Sequence, residues 1–152
     1  LEAQEAGIRM AKAGNNLYQI HREAIRVVQD GLYELGLITA KDNRQYALYF
    51  MHGTSHWLGL DTHDVGDYRQ ILKPGMVLTV EPGIYVGAAV LLRARSKFGD
   101  DLVPQIQEKV QEYLNIGIRI EDDILVTGDG PVVLTRDIPK TIAALESVMA
   151  KK

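Results

Sequence analysis

The stretch Met76-Val77-Leu78-Thr79-Val80-Glu81-Pro82-Gly83 decides how the rest of the chain is read. β-Branched residues alternate along Met76 to Val80, and Glu81-Pro82-Gly83 closes the run with a turn signal, so the stretch predicts a strand. Successive strand side chains point to opposite faces, which sets Val77, Thr79 and Glu81 on one side. A carboxylate at the end of an apolar strand is costly to bury unless it is paired or binds a metal. A second run, Ile118 to Val126, is rich in Ile, Leu and Val but is interrupted by Glu121, Asp122 and Asp123. Its alternation places Arg119 and Glu121 on one face and Ile118 and Ile120 on the other. Asp122 and Asp123 read as turn or surface residues that point elsewhere. A third strand-like run is Ser55 to Leu60, apolar and aromatic.

Helical spacing occupies the flanks. Ala6, Ile8, Met10 and Ala13 form a stripe that Gly14-Asn15-Asn16 stops. Ile20, Ala24, Val27, Val28, Leu32 and Leu35 recur at helical spacing over Leu17 to Leu35, with Gly36 as the stop. Gln45 to Phe50 is a short helical or extended stretch. The polar segment Arg93 to Glu112 reads as a surface insertion with helical character in its later half. Pro139 to Lys152 reads as a closing helix with Ala143, Leu145, Val148 and Met149 inward. Helices before and around a mostly antiparallel sheet define an α+β domain.

Composition narrows the function classes. A hydrophobic share of 46% with 24% charged residues is that of an ordinary soluble domain, and 152 residues suffice for one core. The net charge is −3 with no basic block, which argues against nucleic acid as a main partner. The longest apolar run, Ala88 to Leu92, is far too short to span a bilayer, so no membrane partner is expected. The chain has no cysteine, which excludes thiolate metal sites and is compatible with a reducing compartment; a cytoplasmic location is expected. Leu1-Glu2-Ala3-Gln4 already reads as mid-helix, without Met or a capping residue before it, so a longer polypeptide is expected upstream.

Three of the four histidines fall within the stretch His52-Gly53-Thr54-Ser55-His56-Trp57-Leu58-Gly59-Leu60-Asp61-Thr62-His63. Imidazoles supply metal ligands or acid–base groups near neutral pH, and flanking glycines allow close approach. The plainer reading makes His52 and His63 hydrogen-bonded structural residues, and lets Glu121 pair with a nearby Arg. Two strands that each set a glutamate among apolar residues, downstream of this cluster, weaken it. His and carboxylate ligands together suit Mn²⁺, Co²⁺ or Zn²⁺, and two ions bridged by a glutamate could assist amide hydrolysis. The fourth histidine, His21, lies on the second helix and reads as a surface or partly packed residue.

Together, His52 to Gly66, Leu72 to Val86 and Gly117 to Thr127 resemble the pita-bread metallopeptidases, in particular the Xaa-Pro aminopeptidases; Leu134-Thr135 and Ile138-Pro139-Lys140 are similar to the family's ending. The resemblance implies an incomplete pita-bread fold, a curved antiparallel sheet flanked by helices. It implies that residues 1–152 are the carboxyl-terminal part of a catalytic domain. His56, Glu81 and Glu121 are then metal ligands, and His52, His63 and Arg119 line the substrate site. Trp57 and Tyr85 are candidates for the wall of a proline pocket, with core packing the competing role for Trp57. The implied cofactor is a pair of divalent ions, Mn²⁺ first. The implied substrates are peptides with proline in second position.

The family's site also takes two aspartates from an upstream strand. Asp30 and Asp42 lie in the wrong context to supply them, so three of the five ligands are present and the isolated chain is expected to be inactive or impaired. Half a fold leaves an apolar sheet face uncovered, so a homo-oligomer is expected. Prolidase, which takes Xaa-Pro dipeptides, is the nearest alternative. A creatinase-like metal-free enzyme and a non-catalytic protein-binding member of the fold are further ones.

Overall fold

A computed structural model describes residues 1–150. Helix α1 spans Glu2–Met10 and α2 spans Leu17–Glu34. Asn16 starts α2 with a capping box: its side chain accepts from the Gln19 amide at 3.1 Å, while the Gln19 side chain accepts from the Asn16 amide at 2.9 Å. Gly36, at φ 70°, ends the helix in the left-handed region as its position predicts. The buried stripe of α2 is Leu17, Ile20, Ala24, Val28 and Leu32. Leu35 falls outside it and is exposed, because the helix ends one residue earlier. In α1 the buried residues are Gln4, Ala6 and Gly7, and Ala13 is exposed in the following turn.

Five strands follow among the described residues. They are β1 (Val77–Val80), β2 (Gly83–Tyr85), β3 (Gly117–Arg119), β4 (Asp122–Thr127) and β5 (Gly130–Val133). All pairings are antiparallel, in a three-stranded sheet of order β1-β4-β5 and a two-stranded sheet β2-β3. The run Ile118 to Val126 is therefore two strands. Ile120 and Glu121 form the joint between them and belong to neither ladder. Ser55 to Leu60 is not a strand: only Trp57 makes isolated bridges there, to Asp64 and Leu78, and Gly59 is followed by bends.

The helices cover one face of β1 and β4. Leu78, Val80, Ile124 and Val126 on that face are each fully buried, and they pack with Ala11, Leu17, Ile20, Trp57 and Leu72. Alternation along β4 is strict: Asp122, Ile124 and Val126 are buried, while Asp123, Leu125 and Thr127 are half-buried. Gly7 lets α1 approach β1 closely, since a Cβ there would sit 2.9 Å from Val80 Cγ1.

The segment Arg93 to Glu112 is not a surface insertion. It forms most of α3 (Val90–Phe98) and all of α4 (Val103–Glu112). Val90, Ala94, Leu102, Val103, Ile106 and Val110 are buried against Ala24, Val28, Leu32 and Tyr49 in a second core cluster. Its apolar stripe is thin among many charges, which is why it reads as polar. The closing helix α5 (Ile142–Met149) also departs from expectation. Leu145, Val148 and Met149 are exposed and none of its residues is buried; Lys151 and Lys152 lie outside the described residues. No helix among the described residues is long and apolar enough to cross a membrane.

His21 lies on α2, partly packed, with Nδ1 2.7 Å from Thr54 Oγ1 and its ring edge-on to Phe50. Burial, with a smaller push from His52, lowers its pKa below the usual histidine value. The unfolded chain therefore binds a proton there before the folded one does. Stability is full above about pH 6.5 and falls as pH drops below it, until the folded His21 also protonates. In melts between pH 7.5 and 5.5, the native chain is expected to lose more of its Tm than His21→Gln does. Parallel pH curves for the two would contradict this.

Candidate metal centre

Three elements bring the site together. β1 ends at Val80 and delivers Glu81, the joint between β3 and β4 delivers Glu121, and the chain before Trp57 runs along β1 and delivers His56. Backbone bonds fix that last alignment: the Glu81 amide donates to the Thr54 carbonyl at 2.7 Å and the Thr79 amide to the His56 carbonyl at 3.0 Å. One nitrogen of His56 and one oxygen each of Glu81 and Glu121 lie within 4.8 Å of one another. His56 and Glu81 are buried, and Glu121 is exposed.

His56 Nδ1 sits 3.0 Å from the Trp57 carbonyl oxygen, which can only accept, so the ring proton belongs on Nδ1. That leaves the Nε2 lone pair facing Glu81 Oε1 at 3.0 Å. Two acceptors facing each other in a buried place suit a cation between them, and a backbone carbonyl holding the far nitrogen is how ligating imidazoles are oriented. These residues fit a divalent ion. Lost hydration, then the neighbouring Glu81 anion, pushes the pKa of Glu121 up.

Thr79 ties two of the donors together. Its hydroxyl donates to Glu81 Oε1 at 3.0 Å and accepts from the His56 amide at 3.1 Å. Alternation had set Thr79 on the face of Glu81, the signal from which this part could have been found. Arg119 reaches Glu81 Oε2 at 3.2 Å through Nη1 and the Tyr85 hydroxyl at 2.7 Å through Nε. Tyr85 and then Glu81 stabilise the charged guanidinium and raise its pKa.

The cleft over these donors is lined by His52, Ser55, His56, His63, Tyr68, Glu81 and Arg119. The His63 ring packs edge-on against His56 at 4.3 Å between centroids. His52 lies 5.6 Å from Tyr85 by the same measure, its Nδ1 2.6 Å from the Gly53 carbonyl and its Nε2 without a partner among the described residues. All six candidate residues are thus in one neighbourhood. Trp57 is not a cleft wall: it is buried in the sheet–helix core. Asp122 is not a turn or surface residue either. It is 1% exposed and points away from the cleft. Burial disfavours its ionised form, but bonds from Lys140, Thr135 and Gln4 outweigh that and hold its pKa below the usual carboxylate value.

The arrangement of small antiparallel sheets flanked by helices has close counterparts among solved structures. The solved aminopeptidase of Pseudomonas aeruginosa superposes with a TM-score of 0.81 at 37% identity, over 99% of this chain and 33% of that one. Aminopeptidase P of E. coli with the inhibitor Pro-Leu gives 0.79 at 37% identity, over 99% and 32%. The fold is the pita-bread fold of aminopeptidase P, not closed here. Metallopeptidase family M24 matches residues 1–128, and the chain belongs to that family. The Xaa-Pro aminopeptidase of Haemophilus influenzae is 40% identical across 98% of this chain. The chain spans 33% of that relative's length.

Proposed function

We propose that this chain is the carboxyl-terminal part of the catalytic domain of a metal-dependent Xaa-Pro aminopeptidase, one that removes an N-terminal residue preceding proline. The observation that carries the reading is the convergence of His56, Glu81 and Glu121 within 4.8 Å, with the His56 Nε2 lone pair turned toward the carboxylates. The name borne by the relatives from Haemophilus influenzae and E. coli supports the substrate class. His56, Glu81 and Glu121 would hold two divalent ions, Mn²⁺ first and Co²⁺ or Zn²⁺ next, with further ligands supplied from outside this chain. When bound, the ions polarise the scissile carbonyl and make water a stronger nucleophile at neutral pH.

The chain's own groups do the rest. Arg119 holds Glu81 from one side and Tyr85 from the other, so the carboxylate keeps its direction as charge develops nearby. His52 lines the cleft, with its Nε2 buried and without a partner among the described residues; His63 stands beside His56. Both can hold the peptide by hydrogen bonds that strengthen in the transition state. A cytoplasmic location, resting on the cysteine-free composition, belongs to the same reading. So does a homo-oligomer formed over the apolar cleft lined by Val28, Leu37, Ile84, Ile116 and Ile118.

The test compares a Xaa-Pro-Xaa tripeptide with a Xaa-Pro dipeptide, both with Mn²⁺. The enzyme is this chain extended upstream to the length of its relatives, with the chain alone in parallel. Cleavage of the tripeptide by the long form, and none by the chain alone, is the expected result. Preference for the dipeptide would make the protein a prolidase, and no cleavage of either would overturn the reading.

A further inference from the structure

Glu121 has no hydrogen bond or ion pair of its own among the described residues. It lies in the joint between β3 and β4, outside both ladders, where the one backbone bond runs from the Ile120 amide to the Pro82 carbonyl at 3.4 Å. Its direction therefore depends on how the chain is held on either side. Upstream, β3 is short and exposed along its whole length. Downstream stands Asp122, the first residue of β4, opposite Val80 in the ladder.

Strand alternation turns Asp122 to the helix-covered face, with Ile124 and Val126. An acid on that face needs partners, and three residues from two remote segments supply them. Gln4 Nε2 of α1 donates to Oδ2, Thr135 Oγ1 donates to Oδ1 at 2.7 Å, and Lys140 Nζ donates to Oδ1 at 2.6 Å and also to Oδ2. The Lys140 side chain is 20% exposed and that of Asp122 is wholly buried. Thr135 also accepts from the Asp123 amide at 3.0 Å. The segment 135–140 is thus a strap that grips two consecutive residues immediately after Glu121, and Lys140 is its one charged anchor.

We propose that Lys140 is a positioning residue for the metal centre: by clamping Asp122 to the helix-covered side of β4, it sets the direction in which Glu121 projects into the site. The inference rests on the metal-centre reading above. A strap that merely stabilised the fold would raise stability without affecting the Glu121 donor in particular, and that difference is measurable.

Three variants of the full 152-residue chain serve: Lys140→Met, Lys140→Arg and, as a control with a small core cavity, Val126→Ala. The first measurement is backbone amide exchange without metal. Lys140→Met is expected to raise exchange at residues 121–123 about tenfold or more over residues 124–127, Lys140→Arg to restore it, and Val126→Ala to leave the 121–123 to 124–127 ratio unchanged. The second is Mn²⁺ titration with the Co²⁺ absorption spectrum. Lys140→Met is expected to weaken affinity about 10–100-fold and to alter the Co²⁺ bands, Lys140→Arg to recover both, and Val126→Ala to do neither. Should Lys140→Met not fold, Thr135→Val must raise exchange at the same residues. Unchanged exchange at 121–123, or a loss of affinity that Val126→Ala reproduces at equal Tm, overturns the proposal. If the native chain takes up no Mn²⁺, it is the metal assignment that fails, and the exchange measurement still decides whether Lys140 orders the Glu121 joint.

Discussion

Titrated with Mn²⁺ in a calorimeter, the double variant Glu81→Ala, Glu121→Ala is expected to give no binding heat, while the native chain binds. Removing both carboxylates leaves His56 as the sole donor of the group, and one neutral imidazole neither satisfies a divalent ion's coordination nor offsets its charge. The two losses act on one site, so their effects should not add: either single variant already removes most of the binding. Full binding by the double variant would show that the ion sits elsewhere. No binding by the native chain would show that donors from outside residues 1–152 are needed before any ion is held. Arg119 sharpens the reading. In the variant its guanidinium loses Glu81 but keeps Tyr85, so the cleft becomes more positive and less able to attract a cation.

Leu78→Ala is expected to cost about 2–5 kcal/mol, measured by urea unfolding. Leu78 is fully buried, pairs with Ile124 in the ladder and touches Trp57 through an isolated bridge. Truncating it leaves a cavity between the sheet and α1 and α2 that close-packed neighbours fill only in part. Since whole-domain stability is about 5–15 kcal/mol, this one change removes a large share of it. The consequence reaches the site, because Thr79 follows Leu78 in β1 and Glu81 follows the strand's end, and a loosened strand weakens Mn²⁺ binding as well. Leu92→Ala is the comparison: Leu92 is 68% exposed on α3, and its loss should fall within about 0.5 kcal/mol. Equal costs for the two would place the core wrongly.

The candidate site was legible because its donors belong to strands or to strong local motifs. Alternation over Met76 to Glu81 put Val77, Thr79 and Glu81 on one face, and the Thr79–Glu81 hydrogen bond lies on that face. The family resemblance implies His56, Glu81 and Glu121 as ligands, and one donor atom of each lies within 4.8 Å of the others. The segment Arg93 to Glu112 was misread for a physical reason. Helices that bury only one narrow stripe against other helices carry few apolar residues per turn, so average polarity hides them. The closing helix was misread in the opposite direction. Apolar residues in Ile142–Met149 suggested burial, but nothing among the described residues covers them.

The sequence by itself determined the α+β class, the stop of α2 at Gly36, and the face that Thr79 and Glu81 share. These follow from spacing between near neighbours, which local geometry dictates. What only the tertiary structure decided is which distant residues meet. The proton of His56 is assigned by the Trp57 carbonyl, and Arg119 bridges Glu81 to Tyr85. Asp122, which reads as a surface acid, is buried because Gln4, Thr135 and Lys140 arrive from both ends of the chain to neutralise it. The desolvation of a carboxylate can be offset by partners that lie 13, 18 or 118 residues away, and no pattern along the chain records which partners those will be.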